Sequence, residues 1–167
     1  MTFTPKMISR AGVPAALEKA QRYRLLQEPR AAESICLDIL AVDPGNQQAH
    51  VLRVLAVSDQ LVDELSSGLR RARDLLPGIE DEYRRRYYEG ILCERYAMAK
   101  LKQGAPGAAE TAYEWLRKAM AAYEQAEAMR PAGNDEAILR WNTCARILAQ
   151  NRALAPALPE AYEPSLE

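Results

Sequence analysis

A chain of 167 residues is long enough to bury a core and suggests one domain. Apolar residues make up 49% and charged residues 27%, and the net charge is -1; this is a globular balance with no global field to draw in nucleic acid or an anionic membrane. Ala, Leu, Glu and Arg are abundant and Phe occurs once, which favours helix over sheet, and no run approaches the ~20 apolar residues of a membrane span.

Residues 1–12 read as a flexible lead-in without the apolar run of a signal peptide. Gly12 and Pro14 open a first helix, on which Leu17, Ala20, Tyr23 and Leu26 recur at spacings of three. Pro29 cannot continue that helix and starts a second, to about residue 42, with Ala32, Ile35, Cys36, Ile39 and Leu40 as its stripe. Asp43-Pro44-Gly45-Asn46 is a stop and a turn. A third helix over about 47–60 carries Val51, Val54 and Leu55, and a fourth over 63–76 carries Leu65, Leu69, Ala72 and Leu76. Pro77-Gly78 ends the fourth 33 residues after Pro44-Gly45 ends the second.

From 79 to 102 one long helix is expected. Ile79, Tyr83, Tyr87, Ile91, Met98 and Leu101 share one side, and Tyr88, Leu92, Tyr96 and Ala99 an adjacent one. Gly90 inside it costs up to ~1 kcal/mol relative to Ala, which a close helix–helix approach would explain. Residues 103–107 break the chain. A sixth helix over 108–129, ~33 Å long at 1.5 Å per residue, carries Ala109, Ala112, Leu116, Ala119, Tyr123 and Ala126, with Trp115 and Ala122 as a second strip. A seventh, over 135–150, carries Ile138, Trp141, Ala145 and Leu148 and is expected to cover the sixth. In the tail, 151–167, Leu154, Leu158, Tyr162 and Leu166 alternate with prolines; a segment lying on the body and a disordered one both stay open.

This pattern resembles the tetratricopeptide repeat, a helix–turn–helix unit of 34 residues. In the first unit the family's small and aromatic positions of the first helix match Ala20 and Tyr23. Its small residue opening the second helix matches Ala32, and its closing proline is Pro44. Cys36 and Ile39 occupy the next two positions, Ile39 being large for its slot. Leu65, Leu69, Ala72 and Pro77 repeat the second half one residue short, and Gly90, Ala119, Tyr123, Ala126 and Pro131 fit a third unit. The family's tryptophan is replaced by Ala16 and His50. The resemblance implies an all-α superhelix of about three units (13–46, 47–78 and 79–133) and a capping helix over 134–150, about seven helices, with the third unit extended.

It also implies a function. In this family the first helices of successive units line a concave groove that receives a partner segment. By that analogy the groove residues are Leu17, Gln21 and Arg24, then Val51, Leu55 and Asp59, then Tyr87, Ile91 and Arg95. Some members clamp a C-terminal carboxylate with Lys and Asn; the matching positions here are Leu17, Gln21, Gln48, Val51, Leu52 and Leu55, so that clamp is absent. The groove instead suits an amphipathic helix or a hydrophobic segment. The competing reading is that these residues pack repeat against repeat.

Catalysis, a cofactor and a metal centre are not expected. His50 is the only histidine and reads as a surface or inter-repeat packing residue, and no phosphate loop or dinucleotide fingerprint occurs. Cys36, Cys93 and Cys144 lack metal or redox spacing and read as buried core thiols, which fits a reducing compartment and a cytoplasmic location. Glu124 and Glu127 fall on a solvated face. Arg70, Arg71 and Arg73 and then Arg84, Arg85 and Arg86 flank one turn, but Asp74, Glu80, Asp81 and Glu82 nearly balance them. An internally paired surface is expected there rather than an RNA or acidic-peptide site. The expected function is a non-catalytic scaffold or adaptor for a protein partner, with neither nucleic acid nor membrane involved. A small chaperone for a secretion or assembly system, and a self-associating protein with Trp115 and Tyr123 on the oligomer face, remain as alternatives.

Overall fold

The computed structural model describes residues 2–61 and 65–154. Among them are seven α-helices and no strand: α1 (Val13–Leu25), α2 (Pro29–Val42), α3 (Gln47–Asp59), α4 (Leu65–Asp74), α5 (Glu82–Gln103), α6 (Ala108–Ala128) and α7 (Glu136–Gln150). The helix boundaries follow from local chemistry. Ser9 caps a 3-10 turn at Arg10–Gly12 by accepting from the Gly12 N–H at 3.1 Å, and Pro14 sits in the first turn of α1. Asn46 accepts from the Ala49 N–H at 2.9 Å and fixes the start of α3. Asp81 does the same for α5 through Arg84 N–H at 2.7 Å, so α5 starts at Glu82, later than the periodicity suggests, and the fully buried Ile79 belongs to the preceding turn. Gly104, at φ 64°, provides the left-handed residue that closes α5. The expected start of the fourth helix, at residue 63, lies outside the described residues; its end is tightened into a 3-10 turn at Leu76–Gly78.

The helices stack as hairpins. α1 packs on α2, α3 on α4 and α5 on α6; α2 also packs on α3, α4 on α5 and α6 on α7, and the first helices touch along α1–α3 and α3–α5. Three cores result. Ala20, Cys36, Ile39 and Ala49 centre the first, between α1, α2 and α3. Val54, Leu61, Leu69, Ile79 and Leu92 centre the second, between α3, α4 and α5. Ala112, Leu116, Tyr123, Ala126 and Cys144 centre the third, between α5, α6 and α7. Each large side chain fully buried in this way contributes about 1.5–3 kcal/mol of transfer free energy. Each core is shared only by neighbouring hairpins, as in a solenoid.

The close approach that Gly90 asks for is present: a Cβ there would lie 2.4 Å from Tyr123 Cε1, so only glycine lets α5 and α6 meet at this point. The two Pro-Gly turns are joined to each other. His50 Nε2 lies 2.8 Å from the Pro44 carbonyl, and its ring fills the space a Gly78 side chain would need. Gln47 donates to Gly45 O and Gly78 O and accepts from the Glu80 N–H at 2.9 Å. His50 is thus an inter-repeat packing residue.

Some expectations need correcting. Leu26 is 63% exposed because α1 has already ended, and Met98 is 43% exposed because α3 stops at Asp59 and leaves it uncovered. The strip of α7 that is fully buried is Ala137 and Cys144, with Ile138, Trp141, Ala145 and Leu148 half-buried around it. The lead-in is anchored at its end, where Ile8 packs on the first core. Leu154 is buried in the third core, whereas the expectations for Leu158, Tyr162 and Leu166 lie outside the described residues.

Candidate functional site

The nine groove residues expected from the sequence divide into three kinds. Leu17 and Ile91 are buried in the first and third cores and offer no surface to a ligand. Val51, Leu55 and Tyr87 are half-buried, each packed on a core from the groove side, and Gln21 is exposed. Arg24, Asp59 and Arg95 meet one another. Asp59 accepts from Arg24 Nε at 2.7 Å through Oδ2 and pairs with Arg95 Nη1 at 2.6 Å through Oδ1. Arg95 also donates to the Leu55 carbonyl at 3.2 Å and to the Ser58 hydroxyl. Burial lowers the Arg95 pKa, and Asp59 works against that shift. One residue from each of α1, α3 and α5 therefore forms a ladder that pins three hairpins in register.

Beside this ladder lies a network that periodicity did not reveal. Glu94 is a buried carboxylate on α5. The Tyr123 hydroxyl donates to its Oε2 at 2.8 Å, and Arg140 Nη2 from α7 donates to its Oε1 at 2.9 Å. Burial, and then the Glu94 charge, push the Tyr123 phenol well above its ordinary value. A signal existed: Glu94 falls three residues after Ile91 on the apolar stripe of α5, where an ionisable group needs a partner. A cavity of about 260 Å³ opens here, lined by Ser58, Asp59, Leu61, Glu94, Arg95 and Met98 among others.

A larger cavity, about 560 Å³, lies on the α3–α5 face nearer the start of α5. Gln48 and Val51 come from α3, Tyr83, Arg84, Tyr87 and Tyr88 from α5, and Asn134 and Glu136 from the entry to α7. Tyr83 and Tyr87 stack at 6.2 Å, and Tyr87 meets Tyr88 edge-on at 5.2 Å. The Tyr83 hydroxyl donates to Asn134 Oδ1 at 3.0 Å. Burial and then Glu136 raise all three phenols, Tyr87 to about 12. Tyr83 is buried behind the other two, whereas the neutral, amphipathic rings of Tyr87 and Tyr88 are half-buried and face the cavity.

Burial pushes the Cys36 thiol up to about 11, Cys144 to about 12 and Cys93 also upward, the reverse of an activated nucleophile. Among the described residues no group of three or more His, Cys, Asp or Glu is placed to hold a metal ion, and no helix is long and apolar enough to cross a membrane. The oligomer face expected from Trp115 and Tyr123 does not exist as such, because Tyr123 is fully buried under α5. Glu124 accepts from the Trp141 indole at 2.9 Å, tying α7 to α6. Searches of family models, of curated proteins and of solved structures each found no significant match to this chain.

Proposed function

We propose that the chain is a tetratricopeptide-type module that holds a segment of a partner protein on its α3–α5 face and catalyses no reaction. The observation that carries this reading is the tyrosine-lined cavity, which draws Val51 and Tyr87 from successive hairpins into one concavity with accessible aromatic surface. Aromatic side chains of this kind offer large contact area at low entropic cost, and the polar groups around them, Gln48, Arg84 and Glu136 among them, suit the polar face of an amphipathic helix. The free, buried thiols fit a reducing compartment, and the cytoplasm is the proposed location.

The test is affinity capture from the cell that makes the protein, followed by direct titration of the recovered partner. Gln48 is exposed at the rim, so Gln48→Trp fills the cavity without disturbing a core. Tyr87→Ala removes the central ring. Loss of one partner in both variants, with helix content unchanged, is the expected outcome. Equal recovery and equal affinity in both variants would overturn the reading.

A further inference from the structure

The structure disperses the six arginines that flank the Pro77 turn. Arg71 pairs with Glu33 of α2 at 2.9 Å, Arg85 donates to the Glu80 carbonyl at 3.1 Å, and Arg84 lines the tyrosine cavity. Arg73 and Arg86 converge instead on a separate cavity of about 290 Å³, where α4, α5 and α6 meet. Lys118 from α6 joins them, with Glu89, Gln125 and the Cys93 thiol as further lining.

The charges in this cavity are not balanced. Glu89 is taken by Arg86 at 3.3 Å. Arg73 and Lys118 have no carboxylate within ion-pair distance among the described residues. Both lie over the Trp115 ring, the Arg73 guanidinium at 5.0 Å and the Lys118 ammonium at 4.4 Å from its centroid. Arg73 Nη2 reaches only Cys93 Sγ, a weak acceptor at 3.6 Å, and Arg73 Nε is buried with no acceptor at all. Two cations held against one ring, neither with a carboxylate partner, line one cavity, an arrangement that an anion would complete.

We propose that this cavity is a binding site for a dianionic phosphate group. The two unpaired positive charges match its charge. The planar guanidinium of Arg73 suits two of its oxygens, Lys118 supplies a compact charge, and Gln125 a neutral donor. Both cations rest against the Trp115 indole, which holds them at the cavity. The same chemistry belongs to inorganic phosphate and to a phosphorylated side chain. The cavity, about 290 Å³ between three helices, is sized for a single phosphate group rather than for the repeating backbone of a nucleic acid. The site is independent of the groove.

Trp115 is itself the reporter. In a Trp141→Phe protein it is the remaining tryptophan of two. Its emission is titrated at constant ionic strength with inorganic phosphate, with N-acetyl-phosphoserine amide and with a short single-stranded RNA. The expected result is a saturable change with one or both phosphate compounds, with affinity about tenfold or more weaker in Arg73→Gln and in Lys118→Gln. Lys118 is exposed, so its variant folds even if Arg73→Gln does not. Tighter binding of the phosphoserine compound assigns the site to a protein-borne phosphate, and tighter binding of inorganic phosphate to the free ion. No saturable response to either compound, a response unchanged in Lys118→Gln, or RNA binding tighter than both compounds would overturn the proposal.

Discussion

Gly90→Ala is the sharpest probe of the extended hairpin. An added Cβ would lie 2.4, 2.6 and 2.9 Å from three ring carbons of Tyr123. Ordinary carbon contacts sit at about 3.5–4.0 Å, so the methyl overlaps the ring by about 1 Å or more. The ring has nowhere to go: it is fully buried and its hydroxyl is held by Glu94 at 2.8 Å. Separating the helices costs about 1–3 kcal/mol as overpacking. Turning the ring away instead leaves a buried carboxylate short of one donor, about 1.5–3 kcal/mol. Replacing Gly by Ala inside a helix returns up to ~1 kcal/mol. The net expectation by either route is a loss of about 1–2 kcal/mol, an appreciable part of a typical 5–15 kcal/mol stability. Urea denaturation followed by far-ultraviolet circular dichroism measures it. Gly45→Ala serves as the control, since nothing lies within 4 Å of a Cβ there. A Tyr123→Leu background should remove most of the Gly90→Ala cost, because the clashing ring is gone. A Gly90→Ala protein within ~0.5 kcal/mol of the parent, or a cost that persists in the Tyr123→Leu background, would refute the helix contact.

Asp59→Asn should cost about 1–2 kcal/mol, because Arg24 and Arg95 lose their shared charge in a partly screened setting, and the difference should shrink in high salt; an effect indifferent to salt would argue against the ladder. Stability should be steady up to about pH 8.5 and fall as pH rises through 9–12, where unfolded thiols and phenols lose protons that Cys36 (about 11), Cys144 (about 12) and Tyr87 (about 12) retain when folded. Urea midpoints across that range measure the fall, and a flat profile to pH 12 would contradict the burial of these groups. Labelling with a thiol reagent should proceed only through opening of the fold and reach all three cysteines in denaturant; rapid labelling of the native protein would show that one of them is accessible.

The fold was largely legible because its punctuation is local. Pro29, Pro44-Gly45 and Gly104 to Gly107 act on the backbone at their own positions, and the boundaries of α2, α3 and α6 follow from them. Gly90 and the small residues of α6 announced a close helix pair before its partner was known. The site was legible only in part. The family resemblance placed Arg24, Asp59 and Arg95 in one groove, but whether charges pair with each other or await a ligand depends on side-chain reach across three helices, which no periodicity encodes. Ile91 and Leu17 were expected to line the groove, yet apolar residues on a first helix belong equally to the seam between hairpins, and burial decided for the seam. The arginine cluster looked balanced by counting neighbours in sequence. In three dimensions Asp81 is spent on a helix cap and Glu89 on Arg86, which leaves Arg73 without a carboxylate.

The two proposed sites share α5 but no side chain. Tyr83, Tyr87 and Arg95 serve the groove, whereas Arg86, Glu89 and Cys93 face the phosphate cavity. Between them runs the Gly90–Tyr123 contact, which presses α5 onto α6 and leaves little room for the helix to shift. Two sites on opposite sides of a rigid element, with no common partner, behave additively unless the element itself has two positions. Lys118→Gln should therefore weaken the phosphate response about tenfold or more while leaving partner affinity unchanged. Were it to weaken both equally, α5 would have to move as a unit, and the third hairpin would be a coupled device carrying two ligands rather than a static support for one.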